Sequence, residues 1–391
     1  MRLSGPKPGS LKPHRDVRYI GVSLPTHLEI SRQVLRGIRS FCNENKSFEP
    51  NLLSDRGKLG AAVAEAIPVI GLVAFSLEQG DIEDLRHRKL PVVLVTRRPT
   101  AIPVPRVVDD EYAIGRLGAQ HLLSRGHRTL VFIGRVEHKG FLAQERGFQS
   151  RLAEEGINAS ILNPELTFAG FRSAIDSIRD MPHPVGVMAA NDVLARLLVS
   201  SLENPMAEVP TRMAVLGVDD DDMENTLSPV PLSSVRPAGE RIGYEAASLV
   251  VRLAQGAPEP KEPLVIPPVG VVARLSTDTF AVRDPVVART LRAIHEQPAD
   301  FTDAWAIIRR SGLSRRTLEK RFNRATGRTL AAELNTARIE KASLLMVTTD
   351  LPIARISELV GFSEPRMLTI VFKRVTGELP SEYRARVRPG E

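Results

Sequence analysis

The chain has one cysteine, one tryptophan and four tyrosines among its 391 residues. A single thiol, Cys42, excludes an internal disulfide framework and fits a reducing compartment. Long apolar runs are missing too. The most hydrophobic stretch, residues 66–77, is too short to cross a bilayer and contains Pro68, so it reads as a buried strand. Residues 1–16 scatter Lys, Pro and Gly without an apolar core segment, and read as a disordered basic tail rather than a secretory signal. A cytoplasmic protein with no membrane partner is expected. Signatures of catalysis are also lacking: there is no glycine-rich phosphate loop, no zinc-binding histidine pair and no nucleophile elbow. Neither an enzyme nor a cofactor is expected.

What is present is an ordinary globular composition, 42% hydrophobic and 25% charged, with length for two or three domains. The charge is unevenly placed. Residues 282–391 carry 20 Lys+Arg against 13 Asp+Glu, whereas residues 1–281 carry 33 of each. The whole net charge of +7 therefore sits in the last 110 residues, which suggests a polyanionic partner for that end.

Up to about Ala281, strand-like and helical patterns alternate. Residues 18–23, 69–75, 92–96, 129–133, 186–189 and 213–217 read as strands, with a last one at 269–273. Helical spacing covers 28–41, 82–88, 112–124, 140–155, 193–202 and 241–255. Such alternation implies parallel sheets covered on both faces, here as two doubly wound lobes. Proline-rich segments 99–105 and 229–237 suit connections between lobes, and 256–268 reads as surface loop. After Arg283 the strands stop and helices take over, so the domains are expected at 17–281 and 282–391.

Several blocks in the first unit carry a resemblance. Residues 108–127 read VDDEYAIGRLGAQHLLSRGH, followed by Arg146-Gly147-Phe148, Ala190-Asn191-Asp192, LGVDD at 216–220, LSSVRP at 232–237 and Ile242-Gly243. Their order and spacing resemble the effector domain of the lac-repressor/galactose-repressor family, itself similar to periplasmic sugar-binding proteins. The resemblance implies a two-lobed α/β fold of the type I periplasmic-binding-protein kind, with a small sugar in the inter-lobe cleft beyond the strand ends. It places Arg146 as a cleft arginine gripping adjacent hydroxyls, and Asn191 and Asp219 as strand-end hydrogen-bonding groups. Asp192 is expected to cap its helix. His27 and Glu29 either face the cleft or cap the first helix. The run Asp219–Asp222 lacks the spacing of a calcium loop, so no metal is expected.

Regulators of the lac-repressor type carry a helix-turn-helix ahead of the sensor, and a first strand near Val17 leaves no room for one. The far end supplies two. IIRRSGLS-RRTLEKRF at 307–322 and IARISELVGFS-EPRMLTIVFK at 353–373 share one grammar: helix, glycine turn (Gly312, Gly361), serine cap (Ser314, Ser363), second helix. Leu318, Phe322, Leu368 and Phe372 face the core, and Arg338, Ala342 and Leu345 lie on a long linking helix. With GELPSEYR at 377–384, this resembles the arabinose-regulator (AraC/XylS) family over residues 300–386. Ile308 departs from the small residue usual there, which puts the tightness of the first unit in doubt.

The resemblance implies two recognition helices entering successive major grooves of double-stranded DNA, about 34 Å apart. Base-edge candidates are Arg315, Arg316, Thr317, Glu319 and Lys320 in the first, and Arg366, Met367, Thr369 and Ile370 in the second. Arg316 and Arg366 suit guanine, Met367 and Ile370 thymine methyls. Arg321, Arg324, Lys373 and Arg374 are assigned to phosphates. Sensor and reader in this order resemble regulators of bacterial xylose operons. That implies a homodimer controlled by xylose or a related sugar, with RNA polymerase a further partner. Two other readings stay open: an architectural DNA binder with a degenerate cleft, and a sugar-processing enzyme with a helical accessory domain.

Overall fold

A computed structural model describes residues 17–54, 69–96, 100–134, 139–278, 282 and 284–387. The expected tail, residues 1–16, lies outside them. The first lobe opens with β1 (Arg18–Ser23), α1 (Glu29–Glu44), β2 (Phe48–Ser54), β3 (Val69–Ala74), α2 (Gln79–His87) and β4 (Val92–Leu94). These strands form a parallel sheet in the order β2-β1-β3-β4. A sheet covered on both faces needs strands without alternation, and Ile20–Ser23 and Leu72–Ala74 are all buried.

The chain crosses through β5 (Val107–Asp109) into the second lobe, which contains α3 (Glu111–Ser124), β6 (Thr129–Ile133), α4 (Lys139–Ala153), β7 (Ser160–Leu162), α5 (Phe168–Arg179), β8 (Val185–Ala189), α6 (Asp192–Ser200), α7 (Pro205–Glu208), β9 (Met213–Val218), α8 (Asp222–Leu227) and β10 (Ser233–Arg236). α9 (Gly239–Ala254) returns to pack on α1. β11 (Leu264–Ile266) then pairs with β5, and β12 (Gly270–Val272) closes the second sheet as its antiparallel edge, in the order β12-β10-β9-β8-β6-β7. α3 and α4 touch backbone to backbone. A Cβ built on Gly115 would sit 1.8 Å from the Gln144 carbonyl, and one on Gly147 would sit 2.0 Å from that of Tyr112.

Two sequence expectations change here. Segment 229–237 contains the sheet strand β10, and the loop 256–268 contains β11. Strands β2, β5 and β7 and helix α5 were not anticipated either. β5, β7 and β11 have three residues each, too short to display a period, and Pro50 interrupts the pattern of β2.

The reader comprises α10 (Pro285–Glu296), α11 (Ala304–Ser311), α12 (Arg315–Thr326), α13 (Leu330–Thr348), α14 (Ile353–Leu359), α15 (Pro365–Thr376) and α16 (Pro380–Val387). Gly312 and Gly361 turn with φ of 73° and 92°, where a side chain would strain the backbone. Leu318 and Phe322 are fully buried with Val287, Leu291 and Ile308, so Ile308 packs into the first unit's core. The second unit packs on the linking helix α13, where it meets Ile339, Ala342 and Met346. Its Ile356, Leu368, Phe372 and Tyr383 join one apolar cluster with Ile242, Ala246 and Val269 of the sensor.

Candidate functional site

The carboxyl ends of β8, β9 and β10 converge on a polar network at the cleft. Asp192, buried at the start of α6, accepts hydrogen bonds from the Ser234 hydroxyl and the Asp221 backbone N–H, each at 2.8 Å. Burial outweighs these donors and pushes its carboxyl up to about 8. Next to it the backbone turns sharply: Asp219 and Asp220 take φ of 106° and 55°, a left-handed conformation rare for side-chain-bearing residues. Strain of this kind gathers at ligand sites. Burial, followed by the charges of Asp192, Glu111, Asp109 and Asp221, lifts the Asp219 carboxyl well above its ordinary range.

The acidic run does splay. Asp220 pairs with Arg274 at 2.7 Å and Arg236 at 3.7 Å, while Asp221 caps α8 and faces Arg32 at 3.4 Å. Two of these contacts cross between lobes: Arg32 to Asp221, and Gln33, whose amide donates to the Asp219 carbonyl at 3.2 Å. Arg32 is itself fixed by the Glu29 carboxylate at 2.8 Å and by the carbonyls of Thr26 and His27, each at 3.0 Å.

The sensor residues expected from sequence fall unevenly. Asp219 lies in the network. Asn191, expected to touch ligand, is the N-cap of α6, its Oδ1 accepting from the Leu194 N–H at 2.9 Å. Asp192, expected to cap, is the buried acid. The helix starts one residue earlier than its pattern suggested, which moves the cap from Asp192 to Asn191. Glu29 gives one oxygen to Arg32 and the other to Arg36, at 2.8 and 2.7 Å, and neither it nor exposed His27 caps α1. Arg146 is exposed on α4.

Gln144, which sequence reading passed over, is the inward residue. It is 3% exposed, and its Nε2 donates to Glu111 Oε2 at 2.7 Å while its Oε1 has no partner among the described residues. The signal was available: Gln144 and Phe148 are four apart and share a helix face, whereas Arg146 is rotated to the opposite side.

In the reader, Ser314 caps α12, accepting from the Thr317 N–H at 3.3 Å. Ser363 does not cap α15. Glu364 holds that position without a side-chain bond, Pro365 follows at the first helical position, and the Met367 N–H donates to the Glu364 carbonyl at 3.0 Å. Arg316, Thr317, Lys320 and Arg324 of α12, and Arg366, Met367, Ile370, Lys373 and Arg374 of α15, are exposed. Thr369 is half-buried and turns its hydroxyl back to the Pro365 carbonyl at 3.3 Å. Arg315 pairs with Glu319 at 2.9 Å and stacks over Trp305, 4.9 Å from the ring centroid. Arg321, expected on phosphate, instead grips Asp284 with two donors at 2.5 and 2.6 Å, tying α12 to the N-cap of α10. Buried Arg338 joins the two units. It stacks over Phe362 at 4.9 Å and donates to the carbonyls of Phe301 and Thr302.

The reader meets the sensor on two sides. Toward α9 and the link between β11 and β12, Tyr383 donates its hydroxyl to the Val269 carbonyl, and Arg241 donates to the Ala385 carbonyl at 3.0 Å. Toward the second lobe, buried Arg125 at the end of α3 stands in the field of Glu340, Asp278 and Glu333. His295 there meets Glu333 at 2.7 Å and Glu340 at 3.4 Å. Burial works against the His295 charge, but the two glutamates hold its pKa above the usual value. His121, 2.9 Å from the Thr277 hydroxyl, is pushed down to about 3 by burial and by Arg125.

Comparison with known proteins agrees with this arrangement. A family model described as a periplasmic binding protein-like domain matches residues 119–277, and one described as a helix-turn-helix domain matches residues 307–386. The xylose operon regulatory protein of Escherichia coli (strain K12) is 30% identical over 290 residues, 72% of this chain and 74% of the relative. The protein of that name from Haemophilus influenzae is 25% identical over 368 residues, 90% of this chain and 94% of the relative. A solved structure of a xylose-binding transcription activator is 26% identical with a TM-score of 0.58, covering 95% of this chain and 98% of that one.

Proposed function

The chain belongs to the family of xylose operon regulatory proteins, and from that premise we propose that it is a xylose-responsive switch acting on double-stranded DNA. It is a DNA-binding transcription regulator with a sugar-sensing domain of the periplasmic-binding-protein type. Xylose, or a pentose close to it, enters the cleft between the lobes. The sensor occupies residues 17–281 and the reader 282–391. Asp219 and Gln144 accept or donate to the sugar hydroxyls from the second lobe, with Asn191 offering its amide nitrogen beside them. The unpartnered, buried Gln144 Oε1 carries this reading, since a buried acceptor left empty costs about 1–3 kcal/mol and a sugar hydroxyl would satisfy it.

The switch is a population shift. Ligand favours the closed arrangement that Arg32 and Gln33 already bridge, and the reader, bearing on both lobes, is re-aimed when they close. The protein works as a homodimer in the cytoplasm, so that two chains add their half-sites by avidity, with RNA polymerase as the downstream partner. It turns over no substrate. No helix among the described residues is long and apolar enough to cross a membrane.

The reading is tested with the full-length chain. A thermal-shift panel of pentoses and hexoses is expected to single out xylose or a near relative, because a ligand that binds the folded state raises its melting temperature. Retention of an enriched duplex is then compared with and without that sugar. A panel without any shift would leave a DNA binder whose cleft is degenerate, and consumption of the sugar would identify an enzyme.

A further inference from the structure

We propose that the two reading helices address base pairs of opposite character: Arg315, clamped on Trp305, reads guanine, whereas Met367 and Ile370 read thymine methyl groups. Each chain would then cover a duplex marked by G·C under α12 and by A·T under α15. The inference rests on the DNA-reading function given above and adds what is read and by which atoms.

The polar side of the argument starts from Trp305, which is 51% exposed on α11 rather than packed in the core. Its ring carries the Arg315 guanidinium at 4.9 Å, and Glu319 one turn along takes the Arg315 Nε–H at 2.9 Å. Stacking fixes the plane of the guanidinium, and the ion pair fixes its rotation. Nε is spent on Glu319, which leaves the two terminal nitrogens side by side. That is the edge that matches guanine O6 and N7 in the major groove. An arginine so held meets the base already oriented, whereas Arg316 and Lys320 beside it have no tether among the described residues and suit the phosphates. Trp305 acts through Arg315 and is a positioning residue.

The apolar side starts from α15. Met367 and Ile370 are 42% and 50% exposed and three residues apart, so they form one ridge on the open face. Between them Thr369 has committed its hydroxyl to the Pro365 carbonyl at 3.3 Å. The middle of the helix therefore presents methyl and methylene groups instead of hydrogen-bonding ones. The only apolar feature a major groove offers in return is the thymine C5-methyl. Arg366 at the start of the helix and Lys373 and Arg374 in its last turn supply charge on either side of the ridge. A helix built to dock on protein through this ridge would not need cations at both ends.

The test uses the full-length protein with xylose present. Duplexes are selected from a randomised pool, and the enriched sequence is resynthesised with single-atom-group changes. Deoxyuridine for thymine removes only the methyl, and 7-deazaguanine for guanine removes only the N7 acceptor. Deoxyuridine is expected to weaken binding about 5-fold at one or two positions in one half of the site. That sensitivity should vanish in Met367→Ala and Ile370→Ala. The 7-deaza change is expected to weaken binding about 10-fold at one position in the other half. Trp305→Ala should blunt that second sensitivity and Trp305→Phe restore it, with unfolding curves confirming that both variants fold. Indifference to deoxyuridine throughout, or both sensitivities mapping to the same half, would overturn the proposal while leaving sequence-specific binding intact. Failure of any duplex to enrich would overturn the DNA-reading function itself.

Discussion

Gln144 donates its side-chain amide to the Glu111 carboxylate at 2.7 Å, and its own carbonyl oxygen is buried with no protein donor among the described residues. Removing the amide should therefore cost ligand binding more than fold. Gln144→Ala is expected to weaken sugar binding about 10-fold or more, as for a lost buried hydrogen bond. Arg146→Ala, exposed on the opposite side of the same helix, should leave it unchanged. Titration calorimetry on the two variants checks this, and an equal loss in both would return the cleft role to Arg146.

Arg32 spans the lobes, held by Glu29 on its own side and facing Asp221 at 3.4 Å on the other. Its loss should favour the open arrangement. Arg32→Ala is expected to raise the sugar dissociation constant about 3- to 10-fold and to increase the radius of gyration without ligand. Arg32→Lys should not rescue either effect, because an ammonium cannot grip Glu29, two carbonyls and Asp221 together. Small-angle scattering of the three proteins measures it.

Asp192 gives a pH dependence of defined sign. Its folded-state pKa, about 8, lies above the ordinary aspartate value of 3.8. The folded protein thus binds the proton more tightly than the unfolded chain. The associated stability is complete at acid pH, and declines as pH rises from about 4 through 8. Asp192→Asn, which cannot ionise, should lack that component. The stability of wild type relative to the variant is expected to fall by on the order of 1–3 kcal/mol between about pH 5 and pH 8. Denaturant titrations at a series of pH values would show a flat difference if Asp192 is ionised throughout.

Arg338 is the strut between the two helix-turn-helix units, stacked on Phe362 and bonded to carbonyls beside the first unit. Arg338→Leu leaves those buried carbonyls without donors, at a cost of about 2–4 kcal/mol. The reader should suffer first. DNA affinity is expected to fall at least about 10-fold, because the paired helices lose their common mounting. The sugar-induced thermal shift should persist. Parallel duplex and sugar titrations decide between a local and a global effect.

The long, periodic elements were legible because burial leaves a mark on residue spacing: Leu318 and Phe322, or Leu368 and Phe372, announce their helices and are fully buried. The cleft was less legible, for a physical reason. Asn191 and Asp192 are neighbours of similar chemistry at a strand end, and which of them caps depends on a one-residue choice of helix start. Arg146 carries more obvious chemistry than Gln144, yet the turn of α4 points the quieter residue inward. Arg321 looked like any other basic residue of a reading helix until Asp284, 37 residues upstream, came beside it. Ion pairs of that range leave no periodic trace.

The hydroxyl of Tyr383, in the last helix of the reader, is anchored on the carbonyl of Val269, between β11 and β12 of the sensor, and the second unit's apolar cluster runs on into the sensor. The two halves are consequently not interchangeable cartridges. Grafting this reader onto a foreign sensor would strip buried Tyr383 of its acceptor and of the surface it packs on unless the graft also carried the complementary strip of α9 and residues 266–270. Recombination between such regulators should then succeed best at breakpoints that keep that strip with its reader, and a hybrid joined at residue 282 should melt at a lower temperature than its parents.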